Sequence, residues 1–185
     1  IGPGGLATGA SLSSVFQVSI TVSGRYTRTH NDARVTQHNW SAGTISYSDA
    51  NGTATGQSNR VWSQRSLTIA SAASLTIDLQ SFTDLNLGKG GGINALGLSP
   101  AIDVLTLLVI RNKSTSVGSL VIGNASTSQW TAFLNSGKTL TLPPGSEKIL
   151  YSRIGYAVSA SSKNLKLLAS GGTVNLSLHV AGRKS

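Results

Sequence analysis

The stretch that most invites a chemical reading is residues 132–139, AFLNSGKT. It resembles a Walker A phosphate loop with Ala132 in the place of the first glycine. That chemistry needs a strand before the loop and a helix after it, so that backbone N–H groups and the helix N-terminus face the phosphates. Here Leu140, Thr141 and Leu142 lead into Pro143-Pro144-Gly145, which cannot be helical. No apolar strand ending in Asp stands ready to hold magnesium, and nucleotide binding is not expected. The six acids are Asp32, Asp49, Asp78, Asp84, Asp103 and Glu147. A glycosidase pair must stand roughly 5–10 Å apart across a cleft. Asp78 and Asp84 are close in sequence, but Asp78 falls in a predicted strand and Asp84 reads as a side-chain cap on a turn. His30, His38 and His179 lack metal-ligand spacing such as HxxxH or HxH. Gly56-Gln57-Ser58-Asn59-Arg60 lacks the second glycine of GxSxG. Without cysteine there is neither a thiolate metal site nor a disulfide. The residues predict no catalytic set, no metal and no cofactor.

Candidates for binding are better. Arg25, Tyr26, Arg28, His30 and Arg34 form the densest basic and aromatic stretch. If residues 24–30 are extended, Tyr26, Arg28 and His30 share one face and Arg25 lies on the other. Such a strand could grip phosphate or a carboxylate-rich partner. It could equally be a solvated edge strand whose charges protect it from pairing. Lys89, within Gly88-Lys89-Gly90-Gly91-Gly92, could join an anion cradle of backbone amides, although such loops are also simply flexible. Trp40, Trp62 and Trp130 could stack on sugars; in a chain with so few aromatics they read first as core or interface anchors. Five N-x-S/T triplets, at Asn39, Asn51, Asn112, Asn124 and Asn175, fit chance in a chain this rich in Asn, Ser and Thr.

These side chains must be positioned by strands. Charged residues make up 11% of the chain, well below the roughly 25% of typical globular domains. Ser, Thr, Asn and Gly fill the gap, which favours strands joined by polar turns over long helices. Residues 1–14, with four glycines and a proline, predict a flexible arm ahead of a single domain over residues 15–185. Phe16, Val18, Ile20 and Val22 alternate with polar residues as a half-buried strand does. Residues 34–48 read as a weaker strand pair and residues 49–59 as a loop. Ser66–Ile69 and Ser74–Ile77 read as two neighbouring strands. Residues 103–111, DVLTLLVIR, predict a central strand buried on both faces. Further short strands carry Leu120 and Ile122, Leu140 and Leu142, Ile149 and Tyr151, Tyr156 and Val158, Leu165 and Leu167, and Val174 to Val180. Turn signals every 8–12 residues point to an antiparallel β-sandwich of jelly-roll type. No stretch reaches the roughly 20 apolar residues of a membrane helix. The chain has no Met, so Ile1 is expected to follow processing or an upstream segment. The net charge of +9 suits solubility or an anionic partner; its dispersal speaks against a nucleic-acid arm.

Residues 56–63, GQSNRVWS, followed by Leu75–Leu79 and Ser81-Phe82-Thr83-Asp84, resemble a recurrent pattern in small structural proteins of tailed bacteriophages. LLVIRNK at 107–113, LVIG at 120–123, LPPG at 142–145, GYAV at 155–158, NLKL at 164–167 and the close at 176–182 continue it in order. Each motif is a generic strand or turn; their order over about residues 56–182 carries the resemblance. Residues 87–100 depart from it as an insertion. The resemblance implies a non-enzymatic virion component that decorates or cements the capsid. It would be a homo-oligomer bound to the major capsid protein or another virion protein, without membrane or nucleic acid as partner. No family site residues transfer, so Arg25, Tyr26, Arg28, Arg34 and Lys89 stand as partner contacts on their own chemistry. The alternative reading is a carbohydrate- or receptor-binding module of a phage tail or fibre, which requires an exposed tryptophan in a groove.

Overall fold

A computed structural model describes residues 16–29, 35–82 and 101–184. The expected arm over residues 1–14 and the glycine-rich Lys89 loop lie outside the described residues, as do His30, Arg34 and Asp84. Every described element is a strand or a turn. The first three strands are β1 (Phe16–Thr29), β2 (Val35–Asn51) and β3 (Gln57–Ser58). The predicted pair over residues 34–48 is therefore one long strand. The loop expected over residues 49–59 is shortened at both ends, by the close of β2 and by β3. Eight more follow: β4 (Arg60–Ile69), β5 (Ser74–Asp78), β6 (Val104–Asn112), β7 (Ser119–Gly123), β8 (Thr139–Leu142), β9 (Glu147–Ala157), β10 (Asn164–Ser170) and β11 (Val174–Arg183).

The last eight strands pair as a nested hairpin. β4 runs antiparallel to β11, β5 to β10, β6 to β9 and β7 to β8. The doubled chain then wraps, so that β6 also pairs with β11 and β7 with β10. Two four-stranded sheets result, in the orders β4-β11-β6-β9 and β5-β10-β7-β8. This is the jelly roll, an antiparallel β-sandwich. The two similar pieces at 66–69 and 74–77 are neighbours in sequence only. The turn at Ala70–Ala73, closed by Ala73 N donating to Ala70 O at 3.0 Å, carries the chain from one sheet to the other.

Alternation along the strands builds one core. β10 contributes Leu165, Leu167 and Ala169; β11 contributes Val174, Leu176, Leu178 and Val180; β7 contributes Leu120 and Ile122. Each buried aliphatic side chain is worth about 1.5–3 kcal/mol relative to exposure. β6 is central, as its composition predicts, and a register shift between Leu105 and Leu107 resets its alternation. Leu105, Leu108 and Ile110 enter the core, whereas Leu107 is buried outside that cluster. Opposite the shift, β9 makes an excursion over Ser152 to Gly155, so Ile149, Tyr151 and Tyr156 belong to one interrupted strand.

The root of β1 and β2 is fixed at one end of the sandwich. Ala50 and Asn51 pair in parallel with Gln57 and Ser58 of β3. From there Gly56 N donates to Arg153 O, Ser58 and Thr106 share a 2.7 Å hydroxyl hydrogen bond, and Asn59 N donates to Gly182 O. Asn59 also exchanges two hydrogen bonds with the backbone of Lys184. The strap from 56 to 59 thus crosses from β9 past β6 to β11 before β4 begins.

Candidate interaction surface

β1 and β2 form a two-stranded antiparallel ribbon of 14 and 17 residues. At about 3.4 Å per residue its shorter strand spans roughly 45 Å. Among the described residues β1 is an edge in hydrogen-bonded order, and β2 meets a second strand only at Ala50 and Asn51. Three of the five predicted contact residues are on β1: Arg25 is registered with Asn39, Tyr26 with His38 and Arg28 with Thr36. Arg34 and Lys89 lie outside the described residues.

The register also assigns faces, because directly paired residues share one. Phe16, Val18, Ile20 and Val22 pair with Asp49, Tyr47, Ile45 and Gly43. Beyond Val22 the register shifts by one, because Ser23 pairs with Ser41 and Ala42 is left over. A bulge of this kind reverses the parity of the strand that carries it. It places Trp40 and His38 on the face of Ile45 and Tyr47, although the sequence spacing is odd. The same face then holds Gly24, Tyr26 and Arg28. The opposite face reads Gln17, Ser19, Thr21 and Ser23 on β1, and Ser48, Ser46, Thr44 and Ser41 on β2. Between Phe16 and Val22 the register alternates apolar with polar positions, with Asp49 at the root; toward the tip it pairs Tyr26 with His38, Arg28 with Thr36 and Thr29 with Val35. Sequence reasoning found the β1 half of this face and missed the β2 half. The clue was the break in parity between Trp40 and Ile45.

Other sequence candidates are absorbed by the sandwich. Trp62 and Trp130 are 6% and 2% exposed. Trp62 stacks on Phe82 with ring centroids 4.8 Å apart, and Trp130 meets Tyr156 edge-on and donates Nε1 to Ala157 O at 3.0 Å. Neither can serve as a sugar platform; both are core anchors. In residues 132–139 the chain makes a turn, with Lys138 N donating to Asn135 O and Gly137 N to Gln129 Oε1, and enters strand β8. No helix follows to face a phosphate. Asp78, at the end of β5, accepts from Gln80 N through Oδ1 and takes Lys163 Nζ at 2.6 Å through Oδ2. It therefore caps the turn that follows β5; Asp84, expected as a turn cap, lies outside the described residues. Asp103 takes Lys184 Nζ at 2.8 Å.

One pair has the atoms of a nucleophile and a base. Ser63 Oγ and His179 Nδ1 are 2.7 Å apart on facing positions of β4 and β11. Burial, and secondarily the Arg65 charge, hold the imidazole below its ordinary pKa. A hydrolase would also need an orienting group and an oxyanion hole. Among the described residues, no three of His, Asp and Glu gather as metal ligands would, and no helix is long and apolar enough to cross a membrane.

The described strands define a jelly-roll domain carrying a long two-stranded β-ribbon. No protein-family model and no curated protein matches the sequence. One solved chain, from a study of Bacillus endospore appendages that form disulfide-linked pili, is similar at a TM-score of 0.32. The identity is 13%, over 74% of this chain and 99% of that one. A likeness this slight carries no argument about fold or role.

Proposed function

We propose that this protein is a non-enzymatic structural component of a tailed-phage virion, decorating or cementing the capsid through oligomeric contacts. The observation that carries this reading is the ribbon. A two-stranded ribbon is marginal in water, and three or more strands or a packed face are needed for stability. Among the described residues β1 pairs with β2 alone, and β2 meets a further strand at Ala50 and Asn51, where β3 pairs with it. Such an element is suited to being completed by an assembly. Jelly rolls serve in viral capsids and in lectins alike, so the fold alone leaves the choice open. Burial of Trp62 and Trp130 withdraws two of the three tryptophans on which the glycan-binding reading depended.

Charge supports an acidic shell as the partner. Residues 52–82 and 101–184 carry eleven Lys and Arg against Asp78, Asp103 and Glu147, and two of those acids are already paired with lysines. Opposite surface potentials steer encounter and set register between partners. The glycine-rich stretch before Phe16 would reach a neighbouring capsid subunit. Deleting residues 1–14 is expected to abolish incorporation into particles while leaving the sandwich folded. Incorporation of the deletion variant at the wild-type level would contradict the mechanism.

A further inference from the structure

We infer that the outer face of the β4-β11-β6-β9 sheet carries an anion site, in which Arg65, Arg111, Ser177 and His179 take a sulfate or phosphate group. The register brings these residues together. Ser63 of β4 pairs with His179 of β11, and Ser177, the neighbouring position of β11 on that face, pairs with Arg111 of β6. On β4 the pairs Leu67 with Leu176 and Gln64 with Leu178 leave two residues, Arg65 and Ser66, opposite Ser177 alone. Such a bulge re-aims a side chain. Leu67, Leu176 and Leu178 enter the core, so the alternating positions Ser63, Ser177 and His179 face away from it. Arg65 and Arg111 are exposed, whereas Ser177 and His179 are half-buried. Ser177 thus lies between two arginine-bearing strands whose backbones stand roughly 10 Å apart across β11.

The chemistry is that of a ligand that only accepts hydrogen bonds. Both guanidinium groups are donors alone, and a serine hydroxyl and an imidazole N–H can add to them. Among the described residues, Lys163 and Lys184 make the ion pairs, and neither arginine is in one. On β9 the same face carries Glu147, registered with Arg111, and Tyr151, registered with Leu107; Lys113, whose N–H donates to Asn175 O, follows β6. His179 makes the site responsive to pH. Its Nδ1 stands 2.7 Å from Ser63 Oγ, which orients the ring and leaves Nε2 for a ligand. Burial, and then the Arg65 charge, hold its pKa down. A bound dianion offsets the Arg65 charge and favours the imidazolium, whose two nitrogens are both donors. By reciprocity the anion binds more tightly as pH falls through the His179 pKa.

The site belongs to the sandwich, so its test is independent of the virion reading. Sulfate is the probe, because its charge is constant where histidine titrates. Sodium sulfate titrated into the full chain, followed by NMR of the His179 ring, is expected to bind saturably and to raise the His179 pKa. Binding should be roughly fivefold tighter at about pH 5.5 than at about pH 8. Sodium chloride at equal ionic strength only screens, and should give a smaller shift without saturation. Arg65→Gln and Arg111→Gln should each weaken sulfate binding roughly fivefold, and His179→Gln should remove its pH dependence. The fluorescence of the buried Trp62 and Trp130 reports that the sandwich is intact in each variant. Glucose 6-sulfate in parallel separates the two sources of the group: tighter binding than the free ion supports an ester on a larger molecule, and weaker binding supports the free ion. Equal effects of sulfate and chloride, a His179 pKa that sulfate leaves unmoved, or wild-type affinity in either arginine variant would overturn the proposal.

Discussion

Asn112 has no exposed surface at the end of β6, and its Nδ2 donates to Gly118 O at 3.1 Å and Leu142 O at 2.9 Å. Those carbonyls border β7 and β8 of the other sheet, so one amide stitches the sandwich across its layers. Replacement by Ala strands two buried carbonyls without donors. The expected loss for Asn112→Ala is about 2 kcal/mol in urea unfolding; a change below the error of the midpoint would mean the bonds do not hold the layers. In the sequence Asn112 stood out only as one of five N-x-S/T triplets, because its role depends on carbonyls 6 and 30 residues away. His179 is a residue of the opposite kind, whose effect is on the pH profile. Burial and Arg65 depress its pKa in the folded chain, so the unfolded chain binds the proton more readily. Its contribution is complete above the unfolded value of about 6.5 and is lost as pH falls through that value toward the folded one. Thermal midpoints should therefore fall between pH 7 and pH 5, and His179→Gln should flatten that slope. An unchanged slope in the variant would contradict the assignment.

At the scale of elements, β9 shows how an edge strand is interrupted. Its excursion from Ser152 to Gly155 is held by Arg183 Nη2 donating to Ile154 O at 2.6 Å and by Gly155 N donating to Ser152 Oγ at 3.0 Å. Gly155 has a φ of +90°, and a Cβ there would collide with Val104 Cγ1 and lie 3.1 Å from Leu105 O. A β-branched residue cannot adopt this backbone cheaply. Gly155→Val is expected to destabilise the domain by about 2–4 kcal/mol, read as a fall in the denaturation midpoint. A neutral result would mean the excursion can rearrange freely. Most strands were legible, β10 and β11 from period-2 alternation and β6 from its nearly continuous apolar run. The errors fell where alternation is broken by bulges: Ala42 in β2, and the excursion that made β9 look like two strands. A bulge is fixed by the partner strand, which a single segment does not display.

For the whole molecule, the sandwich was legible and the order of its strands was not. Short alternating segments define faces, but the nested pairing of β4 with β11 and β7 with β8 depends on contacts between distant parts of the chain. Ten or so turns with similar signals permit several Greek-key arrangements. The candidate surface was half legible for the same reason: Arg25, Tyr26 and Arg28 stood out on β1, while the pairing of Trp40 with Gly24 required the register of β2. The core of the jelly roll consumes Trp62 and Trp130, and the proposed role in assembly rests on the long β1–β2 ribbon that the domain carries. The most direct measurement of that claim is the protein content of gradient-purified tailed-phage particles from cells that produce this chain. The account predicts that the chain co-purifies with the heads in many copies per particle. Recovery solely in the soluble fraction, with none on the particles, would contradict it.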